Sequence, residues 1–168
     1  SVRGSGAFIL DGVGGLSLNG GATFDSYGMG AADIVTVAAS ITASNLTLSA
    51  NNAGAAGVGF TRLSNPTNAF RSLTLTKGTL AANSVMPAGA DLVLNGGALM
   101  FTASGTVSNP VQVTGDSILR VWSGVTAEVS GPLSGTASLT KSDTGNLTLS
   151  GGGSFGNLLW NNTGTIRL

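Results

Sequence analysis

Short runs in which apolar and polar residues alternate recur along the whole chain, and they predict strands. Leu-Thr-Leu stands at residues 46–48 and 73–75, and Leu-Val-Leu stands at residues 92–94. Alternation of this kind turns one set of side chains towards a core and the other towards solvent. Clusters of Gly, Asn and Ser separate the runs, and these residues turn corners at low steric cost. The pattern therefore predicts an all-β chain.

Apolar positions also recur at a nearly constant interval of about 19 residues, and a fixed period is the sequence signature of stacked repeats. One ladder comprises Ala22, Ile41, Phe60, Leu80, Leu99, Ile118, Leu139 and Leu158, and a second comprises Leu73, Leu92, Val111, Val129, Leu147 and Ile166. The segment Leu-Ser-Leu-Asn-Gly-Gly-Ala at residues 16–22 returns as Leu-Val-Leu-Asn-Gly-Gly-Ala at residues 92–98, four periods later. A period carried by short strands is typical of a solenoid, in which each coil stacks on the one before it.

The period also predicts how the strands pair. Because the same strand type returns one period later, like strands pair with like, and the sheets should be parallel. We therefore predict a right-handed parallel β-helix, a β-solenoid of about nine coils of ~19 residues, which forms a single domain over residues 1–168. A solenoid presents unpaired strand edges at both ends. We expect either that caps lie outside this chain or that other copies of it stack axially.

The amino-acid composition argues against several classes of function for this chain. Charged residues make up 8% of the chain, against roughly 25% in ordinary globular domains. Seven Lys and Arg balance seven Asp and Glu without a basic patch, so we predict no nucleic-acid partner. The absence of Cys and His removes the commonest metal ligands and the commonest general base, so we predict no metal or cofactor site. No apolar run approaches the roughly 18 residues of a membrane-spanning helix.

The C-terminal third resembles a known repeat. Residues 139–151 read Leu-Thr-Lys-Ser-Asp-Thr-Gly-Asn-Leu-Thr-Leu-Ser-Gly, and residues 164–168 read Gly-Thr-Ile-Arg-Leu. This stretch is similar to the passenger-associated transport repeat of bacterial autotransporters, and the likeness extends over about residues 90–168. The chain departs from that repeat at Asp143 and at residues 152–156. The resemblance implies a right-handed parallel β-helix on or outside a Gram-negative-type cell, in an adhesin, a biofilm component or a stalk.

Carboxylates are the first candidates for catalysis, because parallel β-helices include enzymes that cleave polysaccharides. The chain's carboxylates are Asp11, Asp25, Asp33, Asp91, Asp116, Glu128 and Asp143. Glycoside hydrolysis needs two carboxyl groups roughly 5 to 9.5 Å apart across a groove. Asp116 follows Asp91 by more than one period and precedes Glu128 by less than one, so neither pair would share a position on neighbouring coils. We therefore predict no catalytic residue, and a polysaccharide-degrading enzyme is the least favoured alternative.

Exposed aromatic rings can stack on sugars, and Tyr27, Trp122 and Trp160 are the candidates for glycan contact. Two periods separate Trp122 from Trp160, which would place both on one face. The alternative is that one or both cover a glycine-rich corner. Our first prediction is an extracellular structural or adhesive module of a bacterial surface protein or fibre, which self-associates end to end. A glycan-binding module, with host or matrix glycans or proteins as partners, is the alternative.

Overall fold

The structure is a computed structural model, which describes residues 2–3, 8–11, 15–27, 34–51, 60–160 and 164–168. These residues form twenty strands and no helix. The strands are β1 (Val2–Arg3), β2 (Phe8–Leu10), β3 (Leu16–Tyr27), β4 (Ile34–Val37), β5 (Ile41–Asn51), β6 (Phe60–Leu63), β7 (Ser72–Lys77), β8 (Thr79–Ala81), β9 (Asp91–Asn95), β10 (Ala98–Phe101), β11 (Gly105–Val107), β12 (Val111–Gly115), β13 (Ser117–Val121), β14 (Thr126–Val129), β15 (Leu133–Gly135), β16 (Ser138–Ser142), β17 (Asn146–Leu149), β18 (Gly153–Ser154), β19 (Asn157–Trp160) and β20 (Ile166–Arg167).

The strands form three parallel sheets. The first sheet has the order β1-β3-β5-β7-β9-β12-β15-β18, the second β2-β4-β6-β8-β10-β13-β16-β19, and the third β11-β14-β17-β20. Successive strands of the chain alternate between sheets, and each strand pairs with its equivalent in the next coil. This arrangement is a parallel β-solenoid, which confirms the predicted all-β class and the stacking of coils. At the spacing of neighbouring strands, eight strands span about 34 Å along the stack.

The predicted ladders are correct where the coils are shortest. Leu73, Leu92 and Val111 pair in the first sheet, and Leu80 pairs with Leu99 in the second. None of these five side chains is more than 1% exposed. Leucines and valines stacked in this way remove apolar surface from water at about 25 cal/mol per Å². The interior between the sheets is therefore a dry apolar column.

The first ladder is wrong at Ile118, which lies one residue out of register. Leu119 is the residue that pairs with Leu99, and Leu119 is 1% exposed whereas Ile118 is 40% exposed. The cause is an irregularity in β12, where the register shifts between Val113 and Gly115 and the coil gains one residue. Because side chains alternate between faces, a shift of one residue turns Ile118 outward.

The second ladder is wrong between Val111 and Leu147, whereas its last step is confirmed because Leu147 pairs with Ile166. At Val129 the ladder passes from one sheet to another. Val111 pairs with Leu133 in the first sheet, whereas Val129 pairs with Val107 in the third sheet. The next step of the ladder stays within the third sheet but misses the register, since Leu147 pairs with Ala127 rather than with Val129. Among the described residues the third sheet begins at β11, so the later coils have a third side that a single period cannot reveal.

The uniform interval is wrong in the early coils. Ala22 and Ile41 lie in the first sheet, whereas Phe60, the next position of the predicted ladder, lies in the second. Leu46 pairs with Leu73, and this step along the chain is longer than the step from Leu73 to its partner in the next coil. The early coils are therefore longer than the coil that follows them.

Candidate functional site

Trp122 is a partly buried covering residue. It directly follows β13, and its side chain packs against a small cluster of Phe60, Ala81 and Met100. Met100 lies between two residues of the main core, so the alternation of the strand turns its side chain to the outer face of the second sheet. There Met100 is fully buried, with Trp122 among the side chains that pack against its cluster. Trp122 therefore helps to cover this outward apolar cluster.

Trp160 occupies a different position. It ends β19 and pairs with Lys141, which pairs in turn with Leu119. Lys141 and Leu119 are almost fully buried, but Trp160 is 59% exposed because β19 is the edge strand of the second sheet. The register therefore does not stack Trp160 on Trp122, which lies three residues beyond Leu119.

Tyr27 is the third aromatic candidate. It ends β3, where its backbone pairs with Asn51, and its side chain lies outside the described part of the structure. Glycan contact by any of the three aromatic residues stays a prediction.

Two carboxylates join neighbouring coils. Glu128 accepts hydrogen bonds from the hydroxyl groups of Thr106 at 3.2 Å and Ser150 at 2.5 Å, one on each side of its strand. Asp116 accepts a bond from the backbone N–H of Ser138 at 2.9 Å. Bonds of this kind hold adjacent coils in register, and they give both carboxylates a structural role.

The other acidic residues are dispersed along the stack. Asp91 opens β9, where its backbone pairs with that of Ser72, and Asp11 follows β2; both are exposed. Asp33 and the side chain of Asp25 lie outside the described part of the structure. Among the residues that the structure describes, no group of three Asp or Glu side chains could hold a metal ion.

Lys141 is a buried lysine that the sequence reasoning missed. It lies in β16 between Leu119 and Trp160 of the neighbouring strands, and it is 0% exposed. Its Nζ donates a hydrogen bond to the backbone carbonyl of Asp143. The signal was available, because Leu139 points inward and a residue two positions further along a strand shares its face.

Asp143 links Lys141 to the outer surface. Its φ of 66° is the only left-handed one among the described non-glycine residues, and Asp is one of the few side chains that tolerate this conformation. Its carboxylate accepts hydrogen bonds from Arg120, at 3.0 Å from Nε and 3.4 Å from Nη2. The corner after β16 is therefore bonded twice. The buried Lys141 binds the backbone carbonyl of Asp143, and Arg120 binds its carboxylate.

Burial affects the pKa of the lysine at this corner. Desolvation lowers the pKa of Lys141 from its ordinary value of 10.5, and the nearby carboxylate of Asp143 acts in the opposite direction. The next coil passes close to the ammonium group, since a Cβ on Gly164 would lie 2.8 Å from Nζ and 2.4 Å from the carbonyl oxygen of Gly145. The next coil therefore packs closely against this corner.

The last coil bears an apolar cavity of about 370 Å³. The larger side chains that line it are Leu133, Leu149, Phe155, Leu158 and Leu168. Leu149 and Leu133 are almost buried, whereas Leu168 is 87% exposed. Gly153 of the edge strand β18 and Leu158 of the edge strand β19 both line this cavity.

The described residues contain no helix that is long and apolar enough to cross a membrane. Comparisons with protein-family models, with curated proteins and with solved structures find no match to this chain. The resemblance of about residues 90–168 to the passenger-associated transport repeat therefore stays a prediction from the sequence.

Proposed function

We propose that this chain is a structural β-solenoid module of an extracellular bacterial surface protein, which serves as an adhesin segment, a stalk or part of a fibre. The observation that carries the proposal is the continuous stack of parallel strands, with eight in each of two sheets. A stack of this kind is stiff along its axis, because every coil is tied to its neighbours by backbone hydrogen bonds and apolar contacts. Right-handed winding into about nine coils belongs to the same proposal.

The polar exterior supports a structural role. Asn45 bonds to Ser72 and Asn146 bonds to Thr165, in each case from one coil to the next and at 2.8 Å. Uncharged pairs of this kind depend little on ionic strength, in contrast to exposed ion pairs. A surface held by such bonds would keep its shape in the variable salt outside a cell.

We propose no reaction for this chain. The carboxylates of Glu128, Asp116 and Asp143 each accept hydrogen bonds from different neighbouring residues. These hydrogen bonds join coils or stabilise a corner. The motif at residues 139–151 supports an extracellular location, because the repeat that it resembles belongs to exported passengers.

Two measurements test the proposal. Antibodies against the chain should label intact cells of the source bacterium, and labelling that requires lysis would contradict the extracellular part. For the structural part, the chain is fused between two globular domains and their separation is measured by electron microscopy. We expect one narrow distribution of separations, whereas a broad distribution would show that the chain is not a stiff spacer.

A glycan-binding role is the second candidate, and the 59% exposure of Trp160 favours it. An exposed indole ring offers an apolar face to a sugar ring. We expect Trp160→Ala to abolish binding to any glycan that the wild-type chain retains on an array. Trp122→Phe is the matched control, because Trp122 is largely occupied in covering Met100. A wild-type chain that binds no glycan on the array would remove this candidate.

A further inference from the structure

The tripeptide Asn-x-Thr, in which x is not Pro, is the acceptor sequence for N-linked glycosylation. It occurs in this chain at residues 45–47, 146–148 and 161–163. The first two copies are identical, Asn-Leu-Thr, and they lie in the strands β5 and β17. The third copy lies outside the described part of the structure. The two identical copies are therefore the candidate modification sites.

Both of these tripeptides turn their asparagine and threonine to the outside of the stack. Residues at positions i and i+2 of a strand share a face. The central leucines, Leu46 and Leu147, are no more than 1% exposed. Asn45 and Asn146 are exposed. Strand alternation therefore presents the two polar side chains of each tripeptide together on the outer surface.

The asparagines of the two tripeptides use the amide oxygen and leave the amide nitrogen open. The Oδ1 atom of Asn45 accepts a hydrogen bond from the hydroxyl of Ser72 in the next coil, at 2.8 Å. The Oδ1 atom of Asn146 accepts one from the hydroxyl of Thr165 in the next coil, also at 2.8 Å. Neither Nδ2 atom donates a hydrogen bond to a described residue. The atom that N-linked glycosylation modifies is thus left without a partner in the described part of the chain.

Asparagines outside the acceptor tripeptides show the opposite arrangement. Asn65, Asn68 and Asn109 each donate a hydrogen bond from Nδ2 to a backbone carbonyl of a neighbouring coil, at 2.7 to 3.0 Å. Asn65 stands in Asn-Pro-Thr, where Pro66 excludes the tripeptide as an acceptor. The asparagines whose nitrogen joins two coils are therefore distinct from those in the acceptor tripeptides.

The sheets do not require asparagine at the two acceptor positions. Asn45 pairs with Ser72, and Ser72 pairs with Asp91 in the coil after it. Asn146 pairs with Thr126 of the coil before it. Because Ser, Asp and Thr occupy equivalent positions of neighbouring strands, the pairing of the strands does not explain the choice of asparagine.

Space for a sugar lies beside the first acceptor. Asn45 lines an open groove of about 720 Å³, whose walls also include Ser44, Arg71 and Ala88. Small-molecule sites in proteins have volumes of about 300–1,000 Å³. A sugar joined to Nδ2 of Asn45 therefore has room within this groove.

We propose that Asn45 and Asn146 are sites of N-linked glycosylation, at which a glycosyltransferase of the source bacterium joins a hexose to Nδ2. The co-substrate is a nucleoside diphosphate hexose. The bond between Nδ2 and C1 of the sugar forms as the bond between C1 and the diphosphate oxygen breaks. The amide proton passes to a base of the transferase, and the nucleoside diphosphate leaves. The attached sugars add an uncharged hydrophilic layer to a chain that has 8% charged residues.

Peptide mapping by mass spectrometry tests the two sites. The protein is purified from the source bacterium, and the proteolytic peptides that contain its asparagines are weighed and fragmented. We expect Asn45 and Asn146 to carry a hexose, and Asn65, Asn68 and Asn109 to carry none.

The threonine of each tripeptide provides a control within the same molecule. Thr47→Ala removes the hydroxyl that the acceptor sequence requires and leaves Asn45 in place. We expect this variant to lose the hexose at Asn45 and to keep the one at Asn146, whereas Thr47→Ser should keep both. Thr148→Ala should show the converse loss. A hexose that persists at the unaffected site shows that the variant chain still reaches the transferase.

Pro66→Ala tests whether an open nitrogen is needed in addition to the tripeptide. The substitution converts residues 65–67 into an acceptor sequence, but in the fold Nδ2 of Asn65 is bonded to the carbonyl of Ala38 at 2.7 Å. We expect Asn65 to stay unmodified in this variant. Modification of Asn65 to the same extent as Asn45 would overturn the role assigned to the open nitrogen.

The proposal would be overturned by natural protein that lacks a hexose at both Asn45 and Asn146, or by a hexose at Asn45 that persists in Thr47→Ala. A hexose at one of the two asparagines alone would overturn the assignment of the other. None of these results bears on the stiffness of the stack. Glycosylation and the structural function therefore fail separately.

Discussion

Lys141 shows how one residue can depart from the pattern around it. Burial of an ammonium group is costly, and the hydrogen bond that Lys141 donates to the carbonyl of Asp143 offsets part of that cost. Replacing a buried charge by an apolar side chain of similar volume is often neutral or stabilising, whereas truncation leaves a cavity. The side chain therefore contributes volume as well as a hydrogen bond.

The stability of the chain should depend on the protonation of Lys141. Its pKa is lowered in the folded state, so between that lowered value and 10.5 the unfolded chain binds more protons than the folded one. Stability should therefore rise with pH over this window. We expect urea unfolding at increasing pH to show a smaller rise for Lys141→Met than for the wild-type chain. Lys77→Met is the control, because Lys77 is exposed, and an unchanged rise in Lys141→Met would contradict the assignment.

Truncation of the same side chain should be more harmful than its replacement. We expect Lys141→Ala to lower the free energy of unfolding at neutral pH by about 2–5 kcal/mol, the range found for large-to-small changes in cores. Lys141→Met should lie within about 1.5 kcal/mol of the wild-type chain, because it fills a similar volume. Equal losses in the two variants would show that the ammonium group matters more than the packing.

At the scale of single strands, register decides which residues form the core. Ile118 and Leu119 are neighbours of similar size, and the constant interval favoured the wrong one. The extra residue in β12 decides between them, because it shifts every later residue of that coil by one position. A bulge of this kind has no clear signature in a run such as Val-Gln-Val-Thr-Gly.

The register of β13 predicts opposite outcomes for two adjacent substitutions. Leu119→Ala should lower the free energy of unfolding by about 2–5 kcal/mol, because it opens a cavity in the core. Ile118→Ala should change it by no more than about 0.5 kcal/mol, because the side chain is 40% exposed. Thermal or urea unfolding of the two variants measures the difference. A larger loss for Ile118→Ala would mean that the strand follows the simple period after all.

Close approach of coils explains one of the corner glycines. A Cβ on Gly131 would lie 1.9 Å from the carbonyl oxygen of Asn109 in the coil before, whereas a Cβ on Gly105 would meet nothing within 4 Å. We expect Gly131→Ala to cost about 3 kcal/mol and Gly105→Ala no more than about 0.5 kcal/mol. Equal unfolding midpoints for the two variants would contradict the contact between these coils.

At the scale of the whole molecule, stability should vary along the stack. Each coil contacts only its neighbours, so the middle coils have two partners and the end coils have one. We expect the backbone amides of Leu92 and Val111 to exchange with deuterium at least tenfold more slowly than that of Leu159 in dilute solution. Uniform protection would contradict a stack in which each coil is stabilised only by its neighbours.

The sequence by itself determined the fold class and much of the central core. Alternation set the strands, and the constant interval set the pairing of Leu73 with Leu92 and of Leu80 with Leu99, because these coils have no insertion. The lack of Cys and His also argued against catalysis and metal binding as first choices for this chain. These features are local or periodic, and such features can be read along a chain.

Only the tertiary structure decided which residues face the core and which side chains meet, where these depend on the length of a coil or the path of a corner. It placed Val129 in a third sheet, turned Ile118 outward, and brought Lys141, Asp143 and Arg120 together at one corner. It also separated Trp122 from Trp160. One added residue in a coil exchanges the inward and outward positions of the strand that follows it, so these outcomes depend on the length of each coil and not on the pattern of any one strand.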